Sequence, residues 1–394
     1  MLIGLIGRPN SGKSTFFKAA TLSDVLIANY PFATIKPNHG MAYVKILDLA
    51  PEFNKVSNPR EGYVKGPNGK FRFVPFELMD VAGLVEGASE GKGLGNEFLN
   101  NLAGADAFIH VVDMSGETDA EGKPTKDYYP GQDLKVIENE LDKWYLGILM
   151  KVWKTFARKV EMQKQNLAEA VAKQFSGLKV SEEDVKDVVR KTSLSIEKPA
   201  SWSPEQISQF AQALRKHTKP MVLACNKMDR PNAKENLKKI KEEFDYPLIP
   251  CFAESELALR EADKHGLIEY IPGEKTFTTK GELNEKQTSA LNEINSSLKE
   301  FSSTGIQEIL NKTVFEILEY ITIFPAGDKL EDSKGNVLPD CFLMKKGSTA
   351  LDFAYLLHTD IGDNFIKAVD VRTKRAVGKE YILKHRDGFE IMVK

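Results

Sequence analysis

The chain has 394 residues, of which 42% are apolar, and a formal net charge of −2 at pH 7. A single hydrophobic core stops growing near ~250–300 residues, so this length predicts two or three domains. A nearly neutral chain has no general electrostatic attraction to nucleic acid or to an anionic membrane, and such a partner would need a local charged patch.

The cysteines and the N-terminus bear on the cellular compartment. Cys225, Cys251 and Cys341 are far apart and lack C-x-x-C spacing, which argues against a zinc site and indicates a reducing compartment. The first motif begins at Gly7, which leaves no room for a secretory leader. No apolar run approaches the ~20 residues needed to cross a bilayer. The sequence therefore predicts a cytoplasmic protein without a membrane partner.

The first predicted element is a short apolar strand, Leu2–Ile6, which leads directly into the pattern G-x-x-x-x-G-K-S. The glycines let backbone N–H groups turn inward around a β-phosphate, and the following helix directs its N-terminus at the same anion. Lys13 would place its charge at the β/γ bridge, and Ser14 would offer a hydroxyl to Mg²⁺. A chance glycine-rich turn is the alternative. The predicted nucleotide-binding residues are Gly7, Arg8, Pro9, Asn10, Ser11, Gly12, Lys13, Ser14 and Thr15.

The second motif is D-x-x-G, which ends the apolar-rich strand predicted at residues 76–79. Asp80 would hold Mg²⁺ through water, and the Gly83 N–H would contact the γ-phosphate. D-x-x-G is common by chance, so its value comes from its place between the phosphate loop and the third motif. Residues 108–113 predict the next core strand, and His110 within it is expected to be a core histidine because no second ligand lies at metal spacing.

A helical insertion is predicted before the third motif, because Asp80 and Asn226 are separated by far more than one strand–helix–strand step. Ser181 and Ser203 begin capping-box patterns that predict helix N-termini. The simplest arrangement is an antiparallel, coiled-coil-like helical arm. Its first apolar face recurs at three- and four-residue steps over about seven turns, at Leu134, Ile137, Leu141, Trp144, Ile148, Val152, Phe156 and Val160.

The third motif, N-K-M-D, follows the buried-strand pattern of residues 221–225. Asp229 can only accept hydrogen bonds, so it matches the two donors on guanine N1 and N2, whereas adenine would present an acceptor. Asn226 is expected to buttress the phosphate loop, and Lys227 to cover the base. The backbone N–H of Ala253, after another strand pattern, is the candidate donor to guanine O6. A solvated turn is the alternative interpretation of this tetrapeptide alone.

The C-terminal region changes in composition. A helical block near residues 304–320 is followed by short-strand patterns, and residues 346–358 resemble the core of a TGS domain, a ubiquitin-like β-grasp module that usually contacts RNA or the ribosome. Basic residues cluster beyond it, and they are interpreted either as a solvated face or as a phosphate-contacting patch. They are Arg372, Lys374, Arg375, Lys379, Lys384 and Arg386.

With these motifs in order, the whole chain resembles the Obg-related, YchF-like branch of translation-associated GTPases in its archaeal-type form. The most specific stretch, residues 80–98, is similar to the family's glycine-rich switch II, and N-Y-P-F-A-T at residues 29–34 resembles its switch I. The resemblance implies that Thr34 gives Mg²⁺ a second hydroxyl. It also implies an α/β fold, namely a P-loop GTPase domain with a mostly parallel, doubly wound sheet, an inserted helical arm and a C-terminal β-grasp TGS domain. The predicted boundaries are 1–128 and 217–318 for the GTPase domain, 129–216 for the arm and 319–394 for the TGS domain.

Three positions decide what the resemblance implies for chemistry. Leu84 follows D-x-x-G, and an apolar side chain cannot orient the attacking water, so intrinsic hydrolysis is expected to be slow. Similar GTPases with an apolar residue here often rely on K⁺ held by a phosphate-loop Asn, which implies Asn10 as a K⁺ ligand; alternatively, Asn10 only braces the loop. Many relatives end the third motif in Glu and accept ATP, whereas this sequence keeps Asp229.

Three functions follow as hypotheses. The first is a GTP-hydrolysing switch acting on ribosomes or translation complexes, with Lys13, Thr34 and Gly83 as catalytic residues and the TGS domain and helical arm as ribosome or RNA contacts. The second is a nucleotide-gated scaffold with negligible turnover, which Leu84 keeps open. The third is an ATP-using member of the same family.

Overall fold

The computed structural model describes residues 1–22, 38–81, 87, 101–327 and 329–394. The chain divides into two compact units, one of residues 1–40, 77–268 and 278–309, and the other of residues 41–76, 269–277 and 310–394. The predicted domain boundaries stay predictions. None of the described helices is long and apolar enough to cross a membrane.

The largest sheet has the strand order β2-β4-β1-β5-β6-β7, with β3 paired to β4. Strands β4, β1, β5, β6 and β7 run parallel to one another, whereas β3 is antiparallel to β4. In this register Leu5 lies beside Asp80, and Asp113 lies beside Asn226. The carboxyl ends of these strands therefore meet at one edge, where ligands bind in open α/β sheets. The strands are β1 (Leu2–Ile6), β2 (Asn38–Leu47), β3 (Tyr63–Lys65), β4 (Phe71–Asp80), β5 (Ala107–Asp113), β6 (Met221–Asn226) and β7 (Leu248–Pro250).

Helices of the first unit pack on this sheet around a core that contains Ile6, Phe108, Leu134, Leu223 and Phe252. These side chains come from the strands and from the segments that follow them, as the apolar strand patterns predict. A short two-stranded sheet joins β8 (Ile268–Tyr270) and β9 (Phe277–Thr279). The helices are α1 (Lys13–Thr21), α7 (Ala233–Glu243), α8 (Ala253–Lys264), α9 (Glu285–Phe301) and α10 (Ile306–Asn311).

Between β5 and β6 the chain is helical and has a second core that includes Tyr145, Trp153, Phe175 and Phe210. The capping boxes predicted at Ser181 and Ser203 are confirmed. The helices are α2 (Gly131–Met150), α3 (Trp153–Met162), α4 (Leu167–Gln174), α5 (Glu182–Thr192) and α6 (Pro204–Thr218).

The apolar face predicted as one continuous stripe is divided between two helices and two cores. Leu134, Ile137 and Leu141 lie in the sheet core, whereas Val160 lies in the helical core. The break falls at Val152, whose φ of −123° and ψ of −14° are not helical. The prediction of a single face was therefore wrong, because periodicity does not reveal a one-residue change of direction.

The second unit contains a five-stranded sheet of order β11-β10-β14-β12-β13, in which β10 and β14 are parallel. Ile323, Met344, Phe353, Ala368 and Phe389 form its core under one helix. A π-helical segment, Lys312–Ile317, precedes the sheet. The elements are β10 (Tyr320–Pro325), β11 (Phe342–Lys345), α11 (Ala350–Leu357), α12 (Thr359–Asp363), β12 (Phe365–Asp370), β13 (Ala376–Val377) and β14 (Asp387–Val393).

Two members of the predicted basic cluster have partners inside this unit. The Arg372 guanidinium donates to both carboxylate oxygens of Glu52, at 2.6 and 3.1 Å. Arg386 pairs with the same carboxylate and donates to the Leu47 and Asp48 carbonyls. These two guanidinium groups are already paired, so they are not part of a free phosphate-contacting patch.

Candidate nucleotide site

The phosphate loop lies between β1 and α1 and requires glycine at two positions. Gly7 has φ +148°, and an added Cβ would lie 2.5 Å from the Val111 carbonyl oxygen. Gly12 has φ +93°, and its Cβ would lie 2.3 Å from the Asn226 Nδ2. Because α1 begins at Lys13, the loop is located at a helix N-terminus, where backbone N–H groups are available to an anion.

The charged end of the site consists of Lys13, Ser14 and Asp80. Ser14 Oγ donates to Asp80 Oδ2 at 2.9 Å, while the buried Asp80 Oδ1 has no hydrogen-bond partner in the described chain. Burial lowers the pKa of Lys13, although nearby Asp80 opposes this shift. Burial also raises the pKa of Asp80, and Lys13 and Ser14 oppose that shift. Both charges would be stabilised by a ligand of opposite sign.

These oxygens fit Mg²⁺. A serine hydroxyl and a carboxylate are hard oxygen ligands, and Mg²⁺ is typically bound by one or two carboxylates together with substrate phosphates. The unpartnered Asp80 Oδ1 gives a metal-bound water an acceptor. Within the described residues, no group of three His, Cys, Asp or Glu side chains could hold a metal by itself. Ser14 and Asp80 would therefore hold Mg²⁺ jointly with a nucleotide.

Asn226 connects the phosphate loop to the loop after β7. Its Nδ2 donates to the Ser11 carbonyl at 3.0 Å, which is the expected buttress, and its Oδ1 accepts from the Ala253 N–H at 3.0 Å. Lys227 Nζ donates to the Asn10 carbonyl at 3.1 Å and to Asp113 Oδ2 at 2.8 Å. The Asp229 side chain is 48% exposed, so its carboxylate is accessible to a ligand.

The structure revises the expected donor to guanine O6. The Ala253 N–H is already paired with Asn226. Glu254 and Ser255 precede the first intrahelical bond of α8, from the Glu256 N–H to the Phe252 carbonyl, and both line the same cavity. The first N–H groups of a helix have no partner within the helix. We therefore expect Glu254 or Ser255, rather than Ala253, to provide this donor.

Two phosphate-loop side chains face the segment between β5 and α2. The Arg8 guanidinium, 3% exposed, pairs with Asp133 at 2.5 Å and with Asp113 at 3.6 Å. Asn10 Nδ2 donates to the Gly122 carbonyl at 3.0 Å. Arg8 can therefore contribute only its backbone to a phosphate site. This contact is what the alternative interpretation expects, in which Asn10 only braces the phosphate loop. The role of Asn10 as a K⁺ ligand stays a prediction.

Residues of the phosphate loop and of the N-K-M-D motif line one cavity of about 560 Å³, a size in the range of ligand pockets. Lys13, Ser14 and Asp80 are not among the residues that line it. Gly12 and Thr15 line its phosphate-loop end, and its base end is lined by Asn226, Lys227, Asp229 and Ala253. Residues that the sequence did not indicate also line it; they are Glu117, Arg230, Phe252, Ser255, Ala258, Ala290, Glu293, Ile294 and Ser297, in addition to Glu254.

Thr34, Gly83 and Leu84 lie outside the described residues, as do the whole predicted switch I at residues 29–34 and most of the predicted switch II at residues 80–98. His110, in contrast, is fully buried in β5 and has no hydrogen-bond partner among the described residues. Burial, with Lys13 and Arg8 nearby, lowers the pKa of His110 to about 3. His110 is therefore a neutral core residue, as predicted.

A phosphate loop after the first strand, an aspartate ending the adjacent strand and N-K-x-D after β6, all at one sheet edge, are the arrangement of a P-loop GTPase. Family profiles match in the same order: "50S ribosome-binding GTPase" at residues 2–145, "Obg-like GTPase YGR210-like, G4 motif-containing domain" at 224–328, and "TGS domain" at 319–393. The class of the protein is therefore that of the P-loop GTPases.

Full-length relatives identify the family. A GTP-binding protein of Methanocaldococcus jannaschii is 45% identical, and the alignment covers 99% of this chain and 98% of that one. The crystal structure of a GTP-binding protein from Pyrococcus horikoshii OT3 covers 100% of both chains at 38% identity, with a TM-score of 0.79. The ribosome-binding ATPase YchF of Bacillus subtilis is 28% identical over 98% of this chain and 96% of its own. The chain belongs to the Obg-like, YchF-type GTPase family, with a C-terminal TGS domain.

Proposed function

We propose that this protein binds GTP and hydrolyses it to GDP and phosphate, as a switch that acts on ribosomes or translation complexes. The observation that carries the proposal is that one cavity joins the phosphate loop to an accessible Asp229 carboxylate. Water attacks the γ-phosphorus in line, and the bond to the β–γ bridging oxygen breaks as GDP leaves. Lys13 stabilises the negative charge that develops on the bridge.

Mg²⁺ would neutralise phosphate charge, held by Ser14, by Asp80 through water and by Thr34. Thr34 and Gly83 would contact the γ-phosphate side and lose this interaction after hydrolysis. Leu84 cannot orient the attacking water, so turnover is expected to be slow without K⁺ or a partner. Leu84 also favours the second candidate, a nucleotide-gated scaffold. A single-turnover assay of phosphate release distinguishes the scaffold from the GTP-hydrolysing switch, because a scaffold binds GTP but releases no phosphate.

Guanine is preferred over adenine because Asp229 accepts from two donors on the guanine edge, whereas adenine N1 would face the carboxylate with an acceptor. We expect Asp229→Ala to weaken GTP binding by about 100-fold and to leave ATP binding unchanged. Asp245→Ala is the control, because Asp245 is an exposed aspartate that does not line the cavity. If the wild-type protein hydrolyses ATP faster than GTP, and Asp229→Ala leaves this activity intact, the ATPase hypothesis is correct and the GTPase proposal is wrong.

An anionic partner is supported by the exposed face of α3. Lys154 and Arg158 lie one turn apart on this helix, and Lys151 lies in the turn just before it, while Trp153 and Val160 of the helix are buried. In the part of the chain that the structure describes, no carboxylate pairs with these three cations. Unpaired cations at this short spacing suit a nucleic-acid backbone, because each phosphate contact releases counterions.

Charges on the neighbouring helix α5 are arranged differently. Lys186 pairs with Glu182 at 2.7 Å, and Arg190 pairs with Glu183 at 3.2 Å and also with Asp187. This difference provides a matched control, since reversing the charge of two cations changes the net charge equally on either helix. Exposed ion pairs contribute little to stability, so both double variants are expected to fold.

The test is co-sedimentation with ribosomes in K⁺ and Mg²⁺, with a non-hydrolysable GTP analogue or GDP. We expect the protein to pellet preferentially with the analogue. The double variant K154E/R158E should weaken this binding, whereas K186E/R190E should not. A protein that stays in the supernatant with both nucleotides would contradict the ribosome role and leave the GTPase assignment intact.

A further inference from the structure

Helix α9 presents four residues to the nucleotide cavity at the spacing of a single helix face. Ala290, Glu293, Ile294 and Ser297 are separated by steps of three, one and three residues, and all of them line the cavity that contains Asn226 to Arg230. None of the sequence motifs includes this helix. Leu291, Ile294 and Leu298 of this helix are buried.

Helix α9 is attached to the loop that would bind guanine O6. The Phe301 ring at its C-terminal end packs edge-on against Phe252, with ring centroids 4.9 Å apart. The Phe252 N–H donates to the Thr304 carbonyl at 2.9 Å, and Thr304 Oγ1 donates to Glu256 Oε2 at 2.6 Å. An added Cβ at Gly305 would lie 2.0 Å from the Pro250 carbonyl oxygen. Helix and loop therefore form one packed substructure.

We propose that α9 is the outer wall of the guanine pocket and a determinant of base specificity. The proposal rests on the proposed function, because it assumes that the cavity binds a guanine nucleotide. A purine is flat and apolar on both faces. The methylene chain of Lys227 covers one face, and Ile294 supplies apolar surface on the α9 side. Glu293 adds a second carboxylate to the cavity that Asp229 lines, and two acceptor-only groups match the donor edge of guanine.

Two adjacent serines provide a matched test. Ser297 lines the cavity, whereas Ser296 is exposed and does not. Both hydroxyls donate to a backbone carbonyl four residues earlier, at 3.4 Å for Ser297 and 3.0 Å for Ser296, so either substitution removes the same kind of hydrogen bond. Ser297→Leu narrows the cavity, and Ser296→Leu places the same side chain in solvent.

Affinity for a fluorescent GDP analogue is measured on the full-length protein, together with the melting temperature. We expect Ser297→Leu to weaken GDP binding at least tenfold and Ser296→Leu to change it less than twofold. If Ser297→Leu lowers the melting temperature strongly, the pair Ala290→Leu and Ser289→Leu replaces it, since Ala290 lines the cavity and Ser289 does not. If the cavity variant and its exposed control both fold and bind the GDP analogue with equal affinity, the proposal that α9 is a wall of the guanine pocket is wrong.

The conservative variant Glu293→Gln tests specificity separately. It keeps the side-chain volume but adds a donor, so the ratio of GDP to ADP affinity is expected to fall about fivefold while the melting temperature stays constant. An unchanged ratio removes Glu293 from base recognition. If the wild-type protein binds no guanine nucleotide, the proposed function itself fails; if it binds GDP and the serine pair behaves alike, only the role of α9 fails.

Discussion

Asn226 is expected to contribute strongly to nucleotide affinity, because its side chain holds together the two loops that border the cavity. Its side chain, 3% exposed, joins the Ser11 carbonyl to the Ala253 N–H through two hydrogen bonds of 3.0 Å. Asn226→Ala removes both bonds and leaves one buried acceptor and one buried donor without partners. The Ser11 carbonyl and the Ala253 N–H then either stay buried without a hydrogen bond, at a cost in desolvation free energy, or become hydrated when the two loops move apart.

The magnitude follows from the two orphaned groups. Each buried unsatisfied group costs ~1–3 kcal/mol, so the two together cost ~2–4 kcal/mol when partial relaxation is allowed for. If the apo protein relaxes and the nucleotide must restore the loop geometry, this free energy is lost from binding. Since 1.4 kcal/mol corresponds to a factor of ten, the Kd for GTP should rise roughly 30- to 1,000-fold.

Asn311 provides the control because it makes the same kind of bridge away from the cavity. Its Oδ1 accepts from the Lys45 N–H at 2.9 Å, and its Nδ2 donates to the Lys45 carbonyl at 2.8 Å. Calorimetric titration with GTP and thermal unfolding are measured for both alanine variants. Both should lower the melting temperature, and only Asn226→Ala should lower affinity. Asn226→Ala with wild-type affinity would refute the coupling of the two loops.

Three further predictions follow. Replacing KCl by NaCl should slow phosphate release without changing GTP affinity, and Asn10→Ala should remove the difference; equal release in both salts would exclude a K⁺ role. Asp133→Asn leaves buried Arg8 with only the longer ion pair to Asp113, and it should lower the free energy of unfolding by about 3 kcal/mol in urea titrations; a change below 1 kcal/mol would contradict this. Burial lowers the pKa of Lys219 to about 8, so the unfolded chain binds more protons between pH 8 and 10 and stability rises with pH there. Relative to Lys219→Met, the wild-type protein should gain about 2 kcal/mol from pH 8 to pH 10 in urea unfolding; parallel pH profiles would refute this.

The parts of the fold and of the site that could be predicted from the sequence are those formed by residues that are adjacent along the chain. Each motif follows directly after a strand, and parallel strands end at the same sheet edge, so linear order was enough to place Lys13, Asp80 and Asp229 near one another. The TGS domain was recognisable for a similar reason, since its strands and helix lie within a single segment.

Contacts between distant segments could not be predicted in this way. In the sequence, Arg8 is indistinguishable from any variable residue of a phosphate loop. The carboxylate with which it forms an ion pair, Asp133, is more than a hundred positions away in the first turn of α2. Arg72 donates to the Leu338 and Pro339 carbonyls across 266 and 267 positions, which helps to place residues 41–76 in the unit that contains the TGS domain. A single buried arginine produces no hydrophobic periodicity in the surrounding sequence, so neither contact could be predicted from a local sequence pattern.

The phosphate loop is held by residues on both sides of it. Arg8 and Asn10 are bound by residues 113–133, while the Asn10 and Ser11 carbonyls are bound by Lys227 and Asn226. A loop fixed at Arg8, Asn10 and Ser11 loses little conformational entropy when a phosphate binds, and this preorganisation favours affinity. The same restraint leaves the loop little freedom to report which nucleotide is bound. A GTP-dependent signal must therefore come from other residues, and the family resemblance assigns that role to Thr34 and Gly83. We accordingly expect Thr34→Ala to abolish the difference between GTP-analogue and GDP complexes in ribosome binding while GDP affinity stays unchanged; a retained difference would contradict this division of roles.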